Sequence, residues 1–272
     1  MIKTIHSYDA CRDFVAGFQN DPVFSDPMCV SEEQLQGHLI GPISRPDCHY
    51  VLGIYREDRL TGLFSFLTLH EDKVIEMLVG LSREKDAYRE AFDYLHEHYA
   101  GYEMDCVFNP RNHLIKELLE ERKAVFDPEQ QKMVLRTPPQ GLDTTGVELL
   151  TGKYLSQYCA IHDQEMYWVG EKVAEATHLF RTFVAIHEEK VVGYLDITHP
   201  HDENEIYDLF VLEEYRRKGF GRKLLAKAIE ANHPKGLTLL VDVDNTPAIR
   251  LYESMGMIKV EGRNSQVAYW TI

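Results

Sequence analysis

The stretch that decides the fold is Glu205–Arg222, EIYDLFVLEEYRRKGFGR. Its first part, Glu205–Leu212, is rich in β-branched and aromatic residues, which predicts a strand. A basic turn follows, with glycines at Gly219 and Gly221. Beyond the turn, apolar residues at helical spacing predict a helix. These residues are Leu224, Leu225, Ala228 and Ile229.

A strand, a basic glycine turn and a helix in succession favour an anion-binding site. Glycines let backbone N–H groups approach phosphate oxygens, and the helix N-terminus adds positive potential. Five cations lie within eight residues of an acidic protein: Arg216, Arg217, Lys218, Arg222 and Lys223. A solvated charged turn would carry the same charges, but two glycines at this spacing favour a phosphate ligand.

Two well-known phosphate-binding motifs do not fit this turn. The Walker pattern G-x-x-x-x-G-K-S/T is absent. A dinucleotide-binding fold would use Asp242, 23 residues after Gly219, as its ribose-binding acid. However, Leu224 occupies the third glycine position, and the strand ends at Val211, eight residues before the first glycine. Only 28 residues follow Asp244, too few for the remaining parallel strands.

The turn resembles the nucleotide loop of the GNAT superfamily of acyl-CoA-dependent N-acetyltransferases. The superfamily pattern Q/R-x-x-G-x-G/A is matched by Arg216–Gly221, RRKGFG. Its next motif is an Asn after a strand, followed by a helix that carries a Tyr and ends near a Gly. Asn245, Tyr252 and Gly256 match that motif. The resemblance extends over about Val147–Ile272.

This resemblance implies that acetyl-CoA is the co-substrate. It also implies a mixed sheet that splits between the strand ending near Val211 and the strand Leu237–Val243. Backbone groups at the split would pair with the amides of pantetheine, and the loop would hold the pyrophosphate. No metal is expected. The residues implied to contact acetyl-CoA are Phe210, Val211, Glu213, Arg216, Arg217, Lys218, Gly219, Phe220, Gly221, Arg222, Asn245 and Tyr252.

Two residues are predicted to be catalytic in a direct attack of the amine on the thioester. Glu205 lies six residues before Val211, where the histone-acetylating branch of the superfamily carries its glutamate base; an ordinary exposed acid is the alternative. Tyr207 shares its strand face, whereas Asp208 faces away unless a bulge intervenes. Tyr252 can protonate the departing thiolate, or it is simply a core aromatic. Water is a further candidate for the base.

The first half of the chain resembles the second at fixed offsets. Both halves predict a β-hairpin, and Gly62 in the first matches Gly193 in the second at an offset of 131. Farther along, the offset becomes 136, which pairs Asn109 with Asn245. The first half is therefore shorter by five residues, at the place where the second carries its glycine loop. We interpret this pattern as a duplication.

The sequence therefore predicts an α/β protein built from tandem GNAT-like folds, each with an α+β mixed sheet. Residues 1–136 form a degenerate GNAT-like domain without a cofactor loop, with Lys116 at the position of Tyr252. Residues 137–146 form a linker, because Arg136–Gly146, RTPPQGLDTTG, is rich in turn-forming residues. Residues 147–272 form the catalytic domain. A non-catalytic acyl-CoA-binding regulatory module is the alternative function.

Composition restricts partners and location. The 272 residues carry a formal net charge of −15, which argues against a nucleic-acid partner. No stretch approaches the ~20 apolar residues that cross a bilayer, and no secretory signal is visible, so a cytoplasmic location without membrane contact is expected. The five cysteines form no C-x-x-C pair, so neither zinc nor a disulfide framework is supported.

The acceptor is expected to be a small-molecule or peptide amine. The oligomeric state stays open.

Overall fold

The structure is a computed structural model that describes residues 1–45, 48–166 and 168–272. Its described strands are, in chain order, β1 (Ile2–Thr4), β2 (His49–Arg56), β3 (Arg59–Leu69), β4 (Val74–Ser82), β5 (Glu103–Phe108), β6 (Val125–Phe126), β7 (Gln130–Leu135), β8 (Val147–Leu149), β9 (Phe180–His187), β10 (Lys190–Thr198), β11 (Glu203–Val211), β12 (Gly236–Asp242), β13 (Met257–Lys259) and β14 (Gln266–Thr271).

Helices lie between these strands. The described α-helices are α1 (Arg12–Ala16), α2 (Glu32–Leu35), α3 (Gly41–Ile43), α4 (Lys85–Tyr99), α5 (His113–Glu121), α6 (Leu155–Ile161), α7 (Gly170–Glu175), α8 (Phe220–Asn232) and α9 (Thr246–Ser254). Short 3-10 turns occur at Tyr8–Ala10, Pro27–Cys29 and Glu213–Tyr215, and a π-helical turn occurs at Gln36–Ile40. None of the helices in the described ranges is long and apolar enough to span a membrane.

The chain divides into two units. The first comprises Met1–Gln130 and Glu261–Ile272, and the second comprises Gln131–Val260. Each is built on a seven-stranded mixed sheet, with the order β1-β2-β3-β4-β5-β14-β6 in the first and β13-β7-β12-β11-β10-β9-β8 in the second. The pairs β4–β5 and β11–β12 are parallel. The predicted tandem of mixed-sheet folds is therefore confirmed.

The units are bounded differently from the predicted ranges 1–136 and 147–272. Strand β14 pairs with β5 of the first unit, from Gln266 opposite Phe108 onward. Conversely, β7 pairs with β13 of the second unit, where Leu135 lies opposite Met257. The predicted linker 137–146 therefore lies inside the second unit. Alternating residues predict a strand but do not identify the sheet that receives it, which explains the difference.

The two predicted β-hairpins have the same turn geometry. Between β2 and β3, Glu57 and Asp58 have φ of 48° and 64°, and between β9 and β10, Glu188 and Glu189 have φ of 48° and 65°. Two consecutive residues with positive φ match the right-handed twist of the flanking strands. Both turns recur at the offset of 131 found in the sequence, which supports the duplication.

The second unit has a core on each face of its sheet. On one face, α8 and α9 bury Leu224, Leu225 and Tyr252 against the strands. On the opposite face, α6 contributes Tyr158, which packs with Tyr194 of β10. A smaller cluster on α7 includes Val173 and Phe180 of β9. Residues of β11 that point away from α8 therefore face α6 and α7. The candidate site is built on this strand.

Candidate active site

The sheet of the second unit opens beside β11. Strand β11 pairs with β12 in parallel only from Glu203 opposite Gly236 to Ile206 opposite Leu239. On its other side β11 stays paired with β10 as far as Val211. The last residues of β11 therefore present one backbone edge that none of the described strands covers. This is the split that the family resemblance implied.

The glycine loop connects this open edge to α8. Residues 212–219 separate β11 from α8. Within the loop, Arg217 has a φ of 63° and Gly219 a φ of 90°. Gly219 occupies the N-cap position of α8, and no side chain caps the helix. The first amides of α8 are therefore free to hydrogen-bond an anion at the loop.

The five cations of the loop region have different roles. Arg216 donates from Nε to the carbonyl oxygen of Val211 at 2.9 Å. Arg222 donates to Oγ of Ser254 at 2.7 Å. Lys223 forms an ion pair with Asp143 at 3.3 Å. The two remaining cations, Arg217 and Lys218, are exposed and form no ion pair within the described ranges. They are available to attract a phosphate.

A β-bulge brings a second carboxylate to the face of β11 that carries Glu205. Asp196 of β10 lies opposite Asp208, but the next residue, Ile197, lies opposite Ile206, so Tyr207 is the extra residue. The bulge places Tyr207 and Asp208 on the same face. Tyr207 packs against Phe180, with ring centroids 5.5 Å apart. The bulge that Asp208 would need in order to share a strand face with Glu205 is therefore present.

Glu205 is partly buried rather than an ordinary exposed acid. Burial raises the pKa of its carboxyl, Lys132 opposes that shift, and Glu203 adds to it. The residue lies where β11 is still paired with β12, opposite Thr238. A raised pKa suits a proton acceptor, because the carboxylate becomes more basic. Its assignment as the base stays a prediction.

Tyr252 of α9 lies in the core and still has an unused hydroxyl. Its side chain is 8% exposed and packs in the cluster that includes Ile249 and Met255. Burial, followed by the negative charge of Asp208, raises its pKa to about 12. Its hydroxyl makes no hydrogen bond to any residue that the structure describes. It therefore remains a proton donor at neutral pH.

Asn245 forms the predicted cap of α9. Its side-chain oxygen accepts a hydrogen bond from the backbone N–H of Ala248 at 3.2 Å, and Pro247 lies in the first turn. This arrangement is a common helix start. It fixes the position of α9, and therefore of Tyr252, beside the open edge of β11.

The first unit has no equivalent loop. Strand β4 ends at Ser82 and α4 begins at Lys85, so two residues replace the eight of the second unit. At the position that matches Val211, the N–H of Gly80 donates to Oδ2 of Asp26 at 2.7 Å. The carbonyl oxygen of Gly80 accepts from the hydroxyl of Tyr88 at 3.1 Å. The edge that would receive a cofactor is thus occupied by the chain itself.

A polar cluster that was not predicted from the sequence lies on the side of the sheet that faces α6. Its centre is Asp196, which is fully buried. The sequence feature that could have indicated this cluster is an acidic residue, Asp196, inside the apolar run VVGYLDI of β10. Buried carboxylates are rare unless they are paired. The other members of the cluster are Tyr158, His162, Thr182, Tyr194 and Asp208.

No metal centre is found among residues 1–45, 48–166 and 168–272, since none of their His, Cys, Asp and Glu side chains form a group of three or more that could hold an ion. All five cysteines are free; Cys11, Cys29 and Cys106 are buried. The candidate site is therefore made of backbone amides, carboxylates and a tyrosine hydroxyl. These groups can bind a phosphate and transfer protons.

Comparisons with known proteins agree with this geometry. Residues 147–257 match the acetyltransferase (GNAT) family model. A curated protein, the uncharacterized N-acetyltransferase YycN of Bacillus subtilis, is 35% identical over an alignment of 89 residues that covers 30% of this chain. The match spans 57% of that protein, so the chain covers little more than half of its length.

Two solved structures resemble the whole chain in fold. A GCN5-related N-acetyltransferase from Sphaerobacter thermophilus has a TM-score of 0.66 at 12% identity, over 99% of this chain and 95% of that one. A tandem GNAT protein from the clavulanic acid biosynthesis pathway has a TM-score of 0.59 at 12% identity, over 100% and 98% of the two chains. Residues 147–257 therefore carry the match to the acetyltransferase (GNAT) family model, within a chain whose two mixed-sheet units are similar in fold to tandem GNAT structures.

Proposed function

We propose that the second unit transfers an acetyl group from acetyl-CoA to a primary amine. The single observation that carries this proposal is the glycine loop at the open edge of β11, with Tyr252 and two carboxylates beside it. The open edge at Phe210, Val211 and Glu213 would pair with the amides of pantetheine. The amides from Arg217 to Arg222 would hold the pyrophosphate. Acetyl-CoA supplies the thioester.

The side chains near this edge would move the protons. The amine must lose a proton before it attacks, and Glu205 or Asp208 would accept that proton, directly or through water. The attack forms the bond from nitrogen to carbon and breaks the bond from carbon to sulfur. Tyr252 would donate a proton to the sulfur that leaves. No covalent intermediate on the protein is needed.

A non-catalytic acyl-CoA-binding module is the second candidate. Both functions require the glycine loop, so binding alone does not distinguish them. A binding module has no need of a proton donor, whereas the hydroxyl of Tyr252 has no hydrogen-bond partner among the described residues and its pKa is raised by burial and by Asp208. This pairing of a donor with a carboxylate favours catalysis.

Calorimetry and thiol release test the proposal on the full chain. We expect saturable binding of acetyl-CoA, and acceptor-dependent release of free thiol with at least one amine from a panel of polyamines, aminoglycosides, amino acids and peptide N-termini. Gly221→Val is the loop variant, and Gly152→Val, at an exposed glycine with open space around it, is the matched control. Binding without turnover for the whole panel would favour the regulatory module. Undiminished binding by folded Gly221→Val would overturn the cofactor site.

We also infer that each chain binds one acetyl-CoA. In the first unit, Oδ2 of Asp26 accepts from Gly80, and its Oδ1 accepts from the N–H of Met28 at 2.8 Å. Nearby, Asn109 donates to the carbonyl oxygen of Pro22 at 3.2 Å. This segment, residues 22–29, takes the place that a cofactor would need. Calorimetric titration should therefore give one site per chain, and a second site would contradict the inference.

A further inference from the structure

We propose that Asp208 is the carboxylate that accepts the amine's proton, and that the buried pair of His162 and Asp196 positions it through Tyr194. The inference rests on the proposed acetyl transfer by the same unit. It assigns Asp208 a catalytic role, because Asp208 would contact the amine or the water bound to it. His162, Asp196 and Tyr194 are positioning residues.

The centre of the arrangement is Asp196 in the middle of β10. Its side chain is fully buried, and three side chains lie within hydrogen-bond distance of its carboxylate. Oδ1 accepts from Oγ1 of Thr182 on β9 at 2.5 Å. Oδ2 accepts from the hydroxyl of Tyr158 on α6 at 3.0 Å, and Nε2 of His162 lies 3.2 Å from the same oxygen. Three side chains therefore converge on this one buried carboxylate.

His162 supplies the balancing positive charge. Its Nδ1 lies 3.0 Å from the carbonyl oxygen of Asp163, while its Nε2 faces Asp196. Both ring nitrogens therefore face oxygens that accept, and only the imidazolium satisfies both with hydrogens. Burial acts to lower the pKa of His162, but the hydrogen bonds and the charges of Asp196 and Asp208 raise it overall.

Tyr194 connects this pair to β11. Its ring stacks on His162, with centroids 4.9 Å apart and planes 14° apart, and it meets Tyr158 edge-on at 5.1 Å. The hydroxyl of Tyr194 donates to Oδ2 of Asp208 at 2.6 Å. Phe210 also stacks on this ring, with centroids 5.7 Å apart. The carboxylate of Asp208 is thus held by a ring that the buried pair fixes in place.

Asp208 is better placed than Glu205 to meet a substrate at the split. Glu205 lies opposite Thr238, where β11 and β12 are still paired, whereas Asp208 lies beyond the last pair, Ile206 and Leu239. Asp208 is also the charge that acts on Tyr252, the proposed proton donor, while Glu205 has no such effect. A base and an acid that influence each other across the open edge are suited to successive proton transfers.

Burial raises the pKa of Asp208, the hydrogen bond from Tyr194 lowers it, the charge of Asp196 raises it, and the charge of His162 lowers it. Asp196 and Asp208 carry like charges near each other, and His162 offsets both. The rings of Tyr158 and Tyr194 pack against this imidazole, and their hydroxyls stay neutral because burial raises the pKa of each. Loss of the imidazolium would leave the charge of Asp196 unopposed and would raise the pKa of Asp208. Catalysis should then require a higher pH.

The test compares pH profiles of kcat/KM for the full-length protein and three variants. In His162→Gln, we expect the acidic limb to move up by about one pH unit, so activity falls roughly tenfold near pH 6 and far less near pH 9. Adding Asp196→Asn to this variant should move the limb back, because the unopposed charge is gone. His178→Gln, at an exposed histidine of the same unit, is the control and should keep the wild-type profile.

Asp208→Asn should reduce kcat/KM by at least a hundredfold while the affinity for acetyl-CoA is retained. Glu205→Gln should not reduce kcat/KM by this amount. The reverse order, or a His162→Gln profile lowered equally at every pH, would overturn the inference while the proposed transfer stands. Loss of the proposed transfer itself would appear separately, as wild-type protein without thiol release. If His162→Gln does not fold, NMR titration of His162 in wild-type protein decides: a ring that deprotonates at or below its ordinary pKa would overturn the inference.

Discussion

Replacement of Trp270 by Ala should destabilise the first unit, although Trp270 is the third residue from the C-terminus. The side chain lies on β14, is 7% exposed, and packs against Phe92 of α4 with ring centroids 5.2 Å apart. A tryptophan side chain buries roughly 200 Å², which at about 25 cal/mol/Å² corresponds to ~5 kcal/mol. Measured losses for such substitutions are about 3–5 kcal/mol. A domain of this size is stable by only about 5–15 kcal/mol, so the loss is large.

Native-state hydrogen exchange read by mass spectrometry resolves the two units. A loss of ~4 kcal/mol in the free energy of unfolding should speed exchange in β2–β5 by about 10³-fold where exchange follows global opening. Amides of β9–β12 should keep their rates. Trp168, the other of the two tryptophans, lies in the second unit and remains as its fluorescence reporter.

Trp270→Phe is the matched control. It keeps most of the apolar volume and removes Nε1, which is buried without a hydrogen-bond partner among the described residues. Its cost should therefore stay below ~1.5 kcal/mol. Faster exchange in β9–β12, with β2–β5 unchanged, would refute the assignment of β14 to the first unit and restore the predicted boundary at 147–272.

Three further predictions follow from the site and from the first unit. Gly221→Val should weaken acetyl-CoA binding at least tenfold by calorimetry, because its Cβ would lie 3.3 Å from Leu251 and its branches would crowd the loop; undiminished affinity would contradict this. Tyr252→Phe should lower kcat by roughly ten- to a thousandfold with acetyl-CoA affinity retained, and wild-type turnover would reduce Tyr252 to a packing residue. Burial raises the pKa of Asp26 to about 7, so the folded state holds the proton of this carboxyl more tightly than the unfolded state does. The contribution of Asp26 to the free energy of unfolding is therefore full below its ordinary pKa and is lost as the pH rises through 7. Denaturant midpoints of the first unit should show this pH slope in wild type, and Asp26→Ala should remove it.

Local motifs were predictable because their signals lie within a few residues of one another. The loop of Arg216–Gly221 and the cap formed by Asn245 depend on backbone needs that only certain residue types meet. The duplication was visible because both halves keep the same spacing from hairpin to helix. These features predict the glycine loop after β11 and the helix that carries Tyr252, whereas the open edge of β11 was implied by the family resemblance.

Features that depend on distant partners were not predictable. The run QVAYWT of β14 reads as a strand, yet nothing in it indicates Cys106 rather than a strand of the nearer half as the partner of Ala268. The bulge at Tyr207 is set by the register with β10, so period-two alternation left the face of Asp208 undecided. His162 and Asp196 are 34 residues apart and meet only after α6 packs on the sheet.

The corresponding strand edges of the two units, at Gly80 and at Val211, have different hydrogen-bond partners. A strand that diverges from its neighbour leaves backbone donors and acceptors without partners, and such groups are costly if they are buried. In the first unit, Asp26 satisfies the N–H of Gly80, and Tyr88 satisfies its carbonyl oxygen. In the second, Arg216 reaches the carbonyl oxygen of Val211 while the loop keeps the edge accessible. Asp26 and Tyr88 are buried partners that a ligand cannot easily displace, whereas Arg216 is exposed and can move aside. Acetyl-CoA should therefore bind only where the loop replaces the segment that carries Asp26.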